Sequence, residues 1–177
     1  MMEKCRPLSI PPMRIWLGVE IGAQRMYLFE NAMIRETFTI STAKRGPSCI
    51  EDSLGTPWGL HRIVEKIGEG EPRGMVFKGR KPTGLCYQQY DEAANRENLI
   101  TTRILRLRGL EHGLNAGGNC DSWDRYIYIH GTNHEEKIGS PASSGCVQLS
   151  NADMLKLFKL VPEDTLVLIE KDPLPST

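Results

Sequence analysis

The stretch that decides the reading runs Arg125-Tyr126-Ile127-Tyr128-Ile129-His130-Gly131-Thr132 and resumes one loop later as Ser143-Ser144-Gly145-Cys146-Val147-Gln148-Leu149. Aromatic and β-branched residues favour a sheet, so residues 125–129 are predicted as a strand with His130 at its end. A histidine mounted there has its backbone fixed by the sheet while its ring reaches the adjoining loop, which suits a catalytic base. A thiol is nucleophilic only as thiolate, and an imidazole within reach can take its proton and later return it to a leaving amine. Cys146 thus reads as a nucleophile and His130 as its general base. Gly145 removes a side chain where a carbonyl must approach, and the backbone amides of Ser144, Gly145 and Cys146 are candidates for an oxyanion hole. Such a donor is typically worth about 3 kcal/mol. Taken alone, a Ser-Gly-Cys turn more often feeds a buried cysteine and a strand-end histidine is more often structural, so local pattern leaves both readings open.

Outward from this centre the chain is mainly β. Ile15, Leu17, Val19 and Ile21 alternate as a half-buried strand, and residues 24–30 and 33–40 continue it around a turn at Asn31-Ala32 as a meander. Residues 41–57 read as loop, residues 58–64 as extended, and residues 65–84 again as loop because glycine, proline and charge are dense there. Ile104 to Arg108 alternates as a further strand. Helix signal concentrates near the C-terminus, where Ser150 and Asp153 fit a capping box and Met154, Leu157, Phe158 and Val161 share a face that Pro162 closes. A last strand is predicted over residues 165–170. The expectation is one domain over residues 14–170, with a flexible leader over 1–13 and a tail over 171–177. No repeat or low-complexity tract interrupts it.

With 177 residues, 40% of them apolar, the chain can bury one sizeable core. Equal numbers of basic and acidic residues, 22 of each, and the lack of a basic block argue against nucleic acid as a partner. The first residues lack the apolar run of a secretory signal and no span of about 20 apolar residues follows, so no transmembrane segment is expected and the chain reads as unexported. Five cysteines, at 5, 49, 86, 120 and 146, with no CxxC pair, argue against a disulfide framework and a structural zinc site. An activated Cys146 is expected to alkylate faster at neutral pH than the other four, which read as structural thiols.

The ordered set Ile129-His130-Gly131-Thr132, Ile138-Gly139-Ser140-Pro141, Ser143 to Leu149, Asn151, Asp153 and residues 161–169 resembles the YkuD-type L,D-transpeptidases, the cysteine enzymes that cross-link peptidoglycan stem peptides. Upstream, residues 24–29, Ile40-Ser41-Thr42-Ala43 and Gly55-Thr56-Pro57-Trp58-Gly59 look like the family's first strands and its Thr-Pro-x-Gly element. The resemblance implies a YkuD-like β-sandwich with a few short helices. It also implies a bacterial transferase of cell-wall biogenesis and cell shape, in which the cysteine attacks the carbonyl of the third residue of a donor tetrapeptide. D-alanine leaves, and the acyl group passes to an amine, or to water in an L,D-carboxypeptidase that trims muropeptides as a hydrolase in wall recycling. A catalytically weak peptidoglycan-binding module is the remaining reading.

Carried over residue by residue, the resemblance makes Cys146 the nucleophile, His130 the base, and the Gly131 carbonyl the orienter of its ring. Thr132, Ser143, Gln148 and Trp58 are the expected substrate contacts. No cofactor or metal is implied, carbapenem-type inhibitors are expected to acylate Cys146, and the family's compartment is the periplasm or cell wall. Two departures stand out: Ser144 where many members have histidine, and Gln148 where arginine is usual, which removes a fixed positive charge. Outside the motif, His134 reads as solvated with a substrate contact as the alternative, His61 as structural with a place in the cleft as the alternative, and Arg103, Arg106 and Arg108 as a solvated face that could also attract an acidic stem peptide.

Overall fold

Alternation in the N-terminal segment becomes three antiparallel strands, β1 (Ile15–Glu20), β2 (Arg25–Glu30) and β3 (Met33–Thr39). The computed structural model describes Cys5, residues 8–11 and residues 13–174. The other strands are β4 (Gly59–Ile67), β5 (Met75–Lys78), β6 (Lys81–Cys86), β7 (Ile100–Gly109), β8 (Tyr128–Thr132), β9 (Val147–Leu149) and β10 (Leu166–Glu170). Among the described residues two α-helical segments between the strands complete the fold, the single turn α1 (Glu92–Asn95) and the longer α2 (Asn151–Leu160).

Among the described residues ten strands join in the order β3-β2-β1-β10-β4-β7-β5-β6, with β8 on the other edge of β7 and β9 beside β8. The strand pairs β1–β10 and β8–β9 are parallel. The sheet curls over one core: Leu17, Val19, Met26 and Leu28 on its first half meet Ile129, Val147 and Leu149 on its second. Met154, Leu157 and Phe158 of α2 fill the space between. Burying a leucine or phenylalanine side chain is worth about 1.5–3 kcal/mol, and this cluster holds more buried apolar residues than either of the other two. The helix begins where expected, with Ser150 accepting a hydrogen bond from the Asp153 amide.

The opposite face of β1, β10 and β4 is also covered. Cys5, Leu8, Ile10 and Met13 pack with Trp16, Phe29, Leu60, Leu166 and Leu168. The described part of the expected leader is thus seated on the sheet, while residues 1–4, 6, 7 and 12 and the tail's Pro175 lie outside the described residues.

Three corrections to the sequence reading bear on the site. Residues 65–84 are not loop: β4 extends to Ile67, and β5 and β6 form a hairpin around Gly79-Arg80. Its strands are short and its turn lacks the usual Asn-Gly, so composition hid it. The strand predicted to end at Ile129 begins at Tyr128 and runs to Thr132, placing His130 inside β8. Of the three β7 arginines read as a solvated face, only Arg108 is exposed. Arg103 and Arg106 are buried, with guanidinium groups 5.6 Å from the Phe158 ring and 3.1 Å from the Trp123 ring.

Candidate active site

Parallel register between β8 and β9 sets Ile129 beside Val147 and His130 beside Gln148. Because side chains alternate across a sheet, Ile129, Val147 and Leu149 point into the core while Tyr128, His130, Cys146 and Gln148 share the other face. The period of two thus puts both candidate catalytic groups on one surface. That surface is roofed in part by a small cluster of Met75, Phe77, Ile104 and Tyr128, against which Cys146 packs.

His130 is buried, and its Nδ1 lies 2.7 Å from the Gly131 carbonyl. A carbonyl can only accept, so Nδ1 carries the hydrogen and Nε2 keeps its basic lone pair. Gly131 is required here, since a Cβ would come within 2.6 Å of Asn151 Oδ1 and 2.9 Å of the Thr101 carbonyl. Desolvation holds the imidazole pKa down at about 4, partly offset by the Gly131 hydrogen bond.

Cys146 sits in a bend just before β9 and keeps some contact with solvent. Its Sγ receives the Tyr128 amide hydrogen at 3.4 Å and donates to the Tyr126 carbonyl at 3.6 Å. Burial among apolar neighbours pushes the thiol up to about 11, while the Tyr128 amide and the Arg125 charge pull the other way. No hydrogen bond joins it to His130 among the described residues. These shifts favour a neutral thiol beside a neutral imidazole at neutral pH.

The loop around the thiol is held by Ser143, whose hydroxyl donates to the Cys146 carbonyl at 2.6 Å and accepts from the Gly145 amide at 3.2 Å. Gly145 has φ +126°, a conformation that favours glycine. Of the three amides expected to line an oxyanion hole, that of Gly145 is therefore engaged by Ser143. Those of Ser144 and Cys146 find no acceptor among the described residues.

The other expected substrate contacts separate. Thr132 is fully buried and its hydroxyl accepts from the His134 amide. Gln148 is buried and donates to Asn98 Oδ1 at 2.7 Å, bracing the loop before β7. Trp58 packs on the main core beneath Lys171, whose Nζ lies 3.3 Å from its ring centroid, and it belongs to a different cluster from Cys146. It covers core there. His134 pairs with Glu136 at 3.3 Å, and His61 is buried between the Gly59 carbonyl and the Ser122 hydroxyl, its pKa lowered to about 4 by burial.

Several supporting contacts escaped the sequence reading. Asn151 is fully buried, donates to the Thr132 carbonyl and Glu135, and accepts from the Thr101 and Thr102 hydroxyls. Thr102 lies in a bulge of β7 with φ +68°, which is costly for a β-branched residue. Its hydroxyl, fixed between Asn151 and the Gly74 amide, holds it there. Asn151 was noted as a motif residue, but its partners are remote in sequence. Arg125 was read only as a strand residue, yet it bridges the Ser48 and Gly55 carbonyls at 3.2 and 2.8 Å, and its charge reaches the thiol. It borders a cavity of about 220 Å³ that opens between Tyr126, Ser144 and the carboxylates of Glu51, Asp52 and Asp124.

Comparison with known proteins agrees with this geometry. The family model described as the L,D-transpeptidase catalytic domain matches residues 14–169. The putative L,D-transpeptidase YqjB of Bacillus subtilis is 42% identical over 57 residues, 32% of this chain and 32% of that protein. The putative L,D-transpeptidase YkuD of the same organism is 42% identical over 43 residues, 24% of this chain and 26% of that protein. The matched segments thus span about a third or less of those relatives. An L,D-transpeptidase from Xylanimonas cellulosilytica superposes with a TM-score of 0.55 at 18% identity, over 90% of this chain and 62% of that one. L,D-transpeptidase 3 from Mycobacterium tuberculosis, solved with a faropenem-derived adduct, gives 0.55 at 11% identity, over 89% and 60%. These two likenesses concern the fold. A model match over nearly the whole described chain, on a β fold of this topology, makes the protein a member of the YkuD family of L,D-transpeptidase catalytic domains.

Proposed function

We propose that the protein is a cysteine acyltransferase acting on peptidoglycan stem peptides. Cys146 attacks the carbonyl of the third residue of a tetrapeptide donor and His130 Nε2 takes the thiol proton. The oxyanion of the tetrahedral intermediate accepts hydrogen bonds from the Ser144 and Cys146 amides. Collapse breaks the peptide bond, His130 returns its proton to the leaving amine of D-alanine, and a thioester remains on Sγ. An acceptor amine attacks that thioester, gives its excess proton to His130, and frees the thiol as the new amide forms.

The observation that carries this reading is the fixed tautomer of His130. Its Nδ1–H is anchored on the Gly131 carbonyl, leaving a basic Nε2 on the same face of β8–β9 as the thiol. A low pKa does not disable this base, because at neutral pH the imidazole is already in the form that accepts a proton. Cross-linking as the role implies the periplasm or cell wall as the compartment. A relative solved with imipenem and one with a faropenem-derived adduct support carbapenem-type acylation at Cys146.

Incubation with a disaccharide tetrapeptide tests the reading by product mass. Release of D-alanine with formation of a dimer is expected. Release with tripeptide alone means that water is the acceptor, and no release at all contradicts the acyl-transfer mechanism.

A further inference from the structure

Gln148 stands where the family resemblance places an arginine, and its amide is occupied by Asn98, so β9 offers no positive charge after Cys146. Charge reaches the same face from the opposite side. Register sets Arg106 of β7 opposite Tyr128 of β8, and the Tyr128 amide holds Cys146 Sγ. Arg106 and Tyr128 are therefore neighbours across β7 and β8, and the Tyr128 amide reaches Cys146 Sγ at 3.4 Å.

The β5–β6 hairpin adds a second guanidinium. Arg80 Nη1 donates to the Tyr128 hydroxyl at 3.3 Å, and the Arg80 guanidinium lies 5.4 Å from the Tyr126 ring, which Arg106 approaches at 5.8 Å. Tyr126 is half exposed and its carbonyl takes the thiol hydrogen, so both arginines converge on residues that touch the nucleophile.

Two features set these groups apart from structural arginines. Arg125 has its guanidinium held by Ser48, Ser53 and Gly55. Arg106, only 7% exposed, stacks 3.1 Å from the Trp123 ring and pairs with Glu65 at 3.5 Å, but its Nε has no partner among the described residues and its one hydrogen bond, to the Trp123 carbonyl, is long at 3.4 Å. Arg80 occupies the second position of a two-residue turn with φ +67°, where glycine or asparagine is locally favoured. A long cation is kept there against local preference, and its contacts lie outside the hairpin.

We propose that Arg80 and Arg106 form a carboxylate-binding subsite beside Cys146 that recognises a free carboxylate of the donor peptide. The carboxylate is either the C-terminal one of the expelled residue or one carried by an acidic residue before the scissile bond. Planar guanidinium groups suit this task, since each can give two parallel hydrogen bonds to a carboxylate. The inference rests on the stem-peptide reading above.

Calorimetric titration of Cys146→Ala tests it without turnover. The probes are a donor tetrapeptide with free carboxylates, the same peptide amidated at its C-terminus, and the same peptide amidated at its upstream acidic residue. The free acid should bind roughly tenfold or more tightly than one of the amides, and the amide that weakens identifies the carboxylate. Adding Arg80→Gly should bring that ratio close to one while leaving thermal stability unchanged or raised, because glycine suits the turn. Equal affinity for all three peptides, no binding of any, or a preference that survives Arg80→Gly overturns the subsite. D-alanine release by the unsubstituted protein judges the stem-peptide reading separately, and release with no carboxylate preference removes only the subsite.

Discussion

Raising the pH isolates the property that most sets this site apart from a preformed ion pair. With the Cys146 thiol near 11 and the His130 imidazole near 4, both groups are neutral across the whole interval between those values. At pH 7 roughly one Cys146 thiol in ten thousand is ionised, against about one in a hundred for a thiol at its ordinary 9.0. Alkylation by iodoacetamide follows the thiolate, so its rate at Cys146 should rise about tenfold per pH unit from pH 7 to 10 without a plateau. Peptide mass spectrometry of quenched samples gives the rate, with the part-exposed Cys86 as a control for reagent decay. His130→Ala should leave that profile unchanged, because the resting ring makes no hydrogen bond to the thiol. A plateau below about pH 8 that disappears in His130→Ala would refute the neutral pair and restore the activated thiol.

Acid should destabilise the fold through its two buried neutral histidines. His61 and His130 have folded pKa values near 4 against an ordinary 6.5, so their contribution is complete above 6.5 and is lost as pH falls through 4. By pH 5 each should have cost about 2 kcal/mol, and urea unfolding that shows no loss between pH 7 and 5 would contradict this. Ser143→Ala removes both hydrogen bonds that shape the Cys146 loop, for an expected loss of about 1–2 kcal/mol and a fall in kcat of roughly tenfold; unaltered turnover would show the loop holds without them. Asn151→Leu strands the Thr101 and Thr102 hydroxyls and the Thr132 carbonyl, and should cost about 3 kcal/mol or more in denaturant titration. A cost below about 1 kcal/mol would show that the network relaxes.

The strands that frame the site were legible because each carries its own signal. Ile15 to Ile21 alternates, Tyr128 and Ile129 mark β8 although it starts three residues later than read, and Ser150 with Asp153 caps a helix with a clear apolar face. His130 and Cys146 were legible through their place in an ordered motif, and the parallel register supplies the reason for that order: it puts them on one face. What the sequence hid depends on partners remote along the chain. The β5–β6 hairpin is stabilised against β7 and not by its own turn. The bulge at Thr102 exists because Asn151, some fifty residues later, holds its hydroxyl. Arg106 reads as a strand charge until Trp123 stacks on it. The thiol's pKa is a property of packing, and no motif encodes it.

The most direct test is intact-protein mass after mixing with a disaccharide tetrapeptide, compared between the unsubstituted chain and Cys146→Ala. The mechanism predicts a covalent adduct equal to the donor less D-alanine, mapped to Cys146 and absent in the variant, with free D-alanine appearing alongside. D-alanine release without such an adduct, or an adduct that persists in Cys146→Ala, would contradict a thioester at this residue.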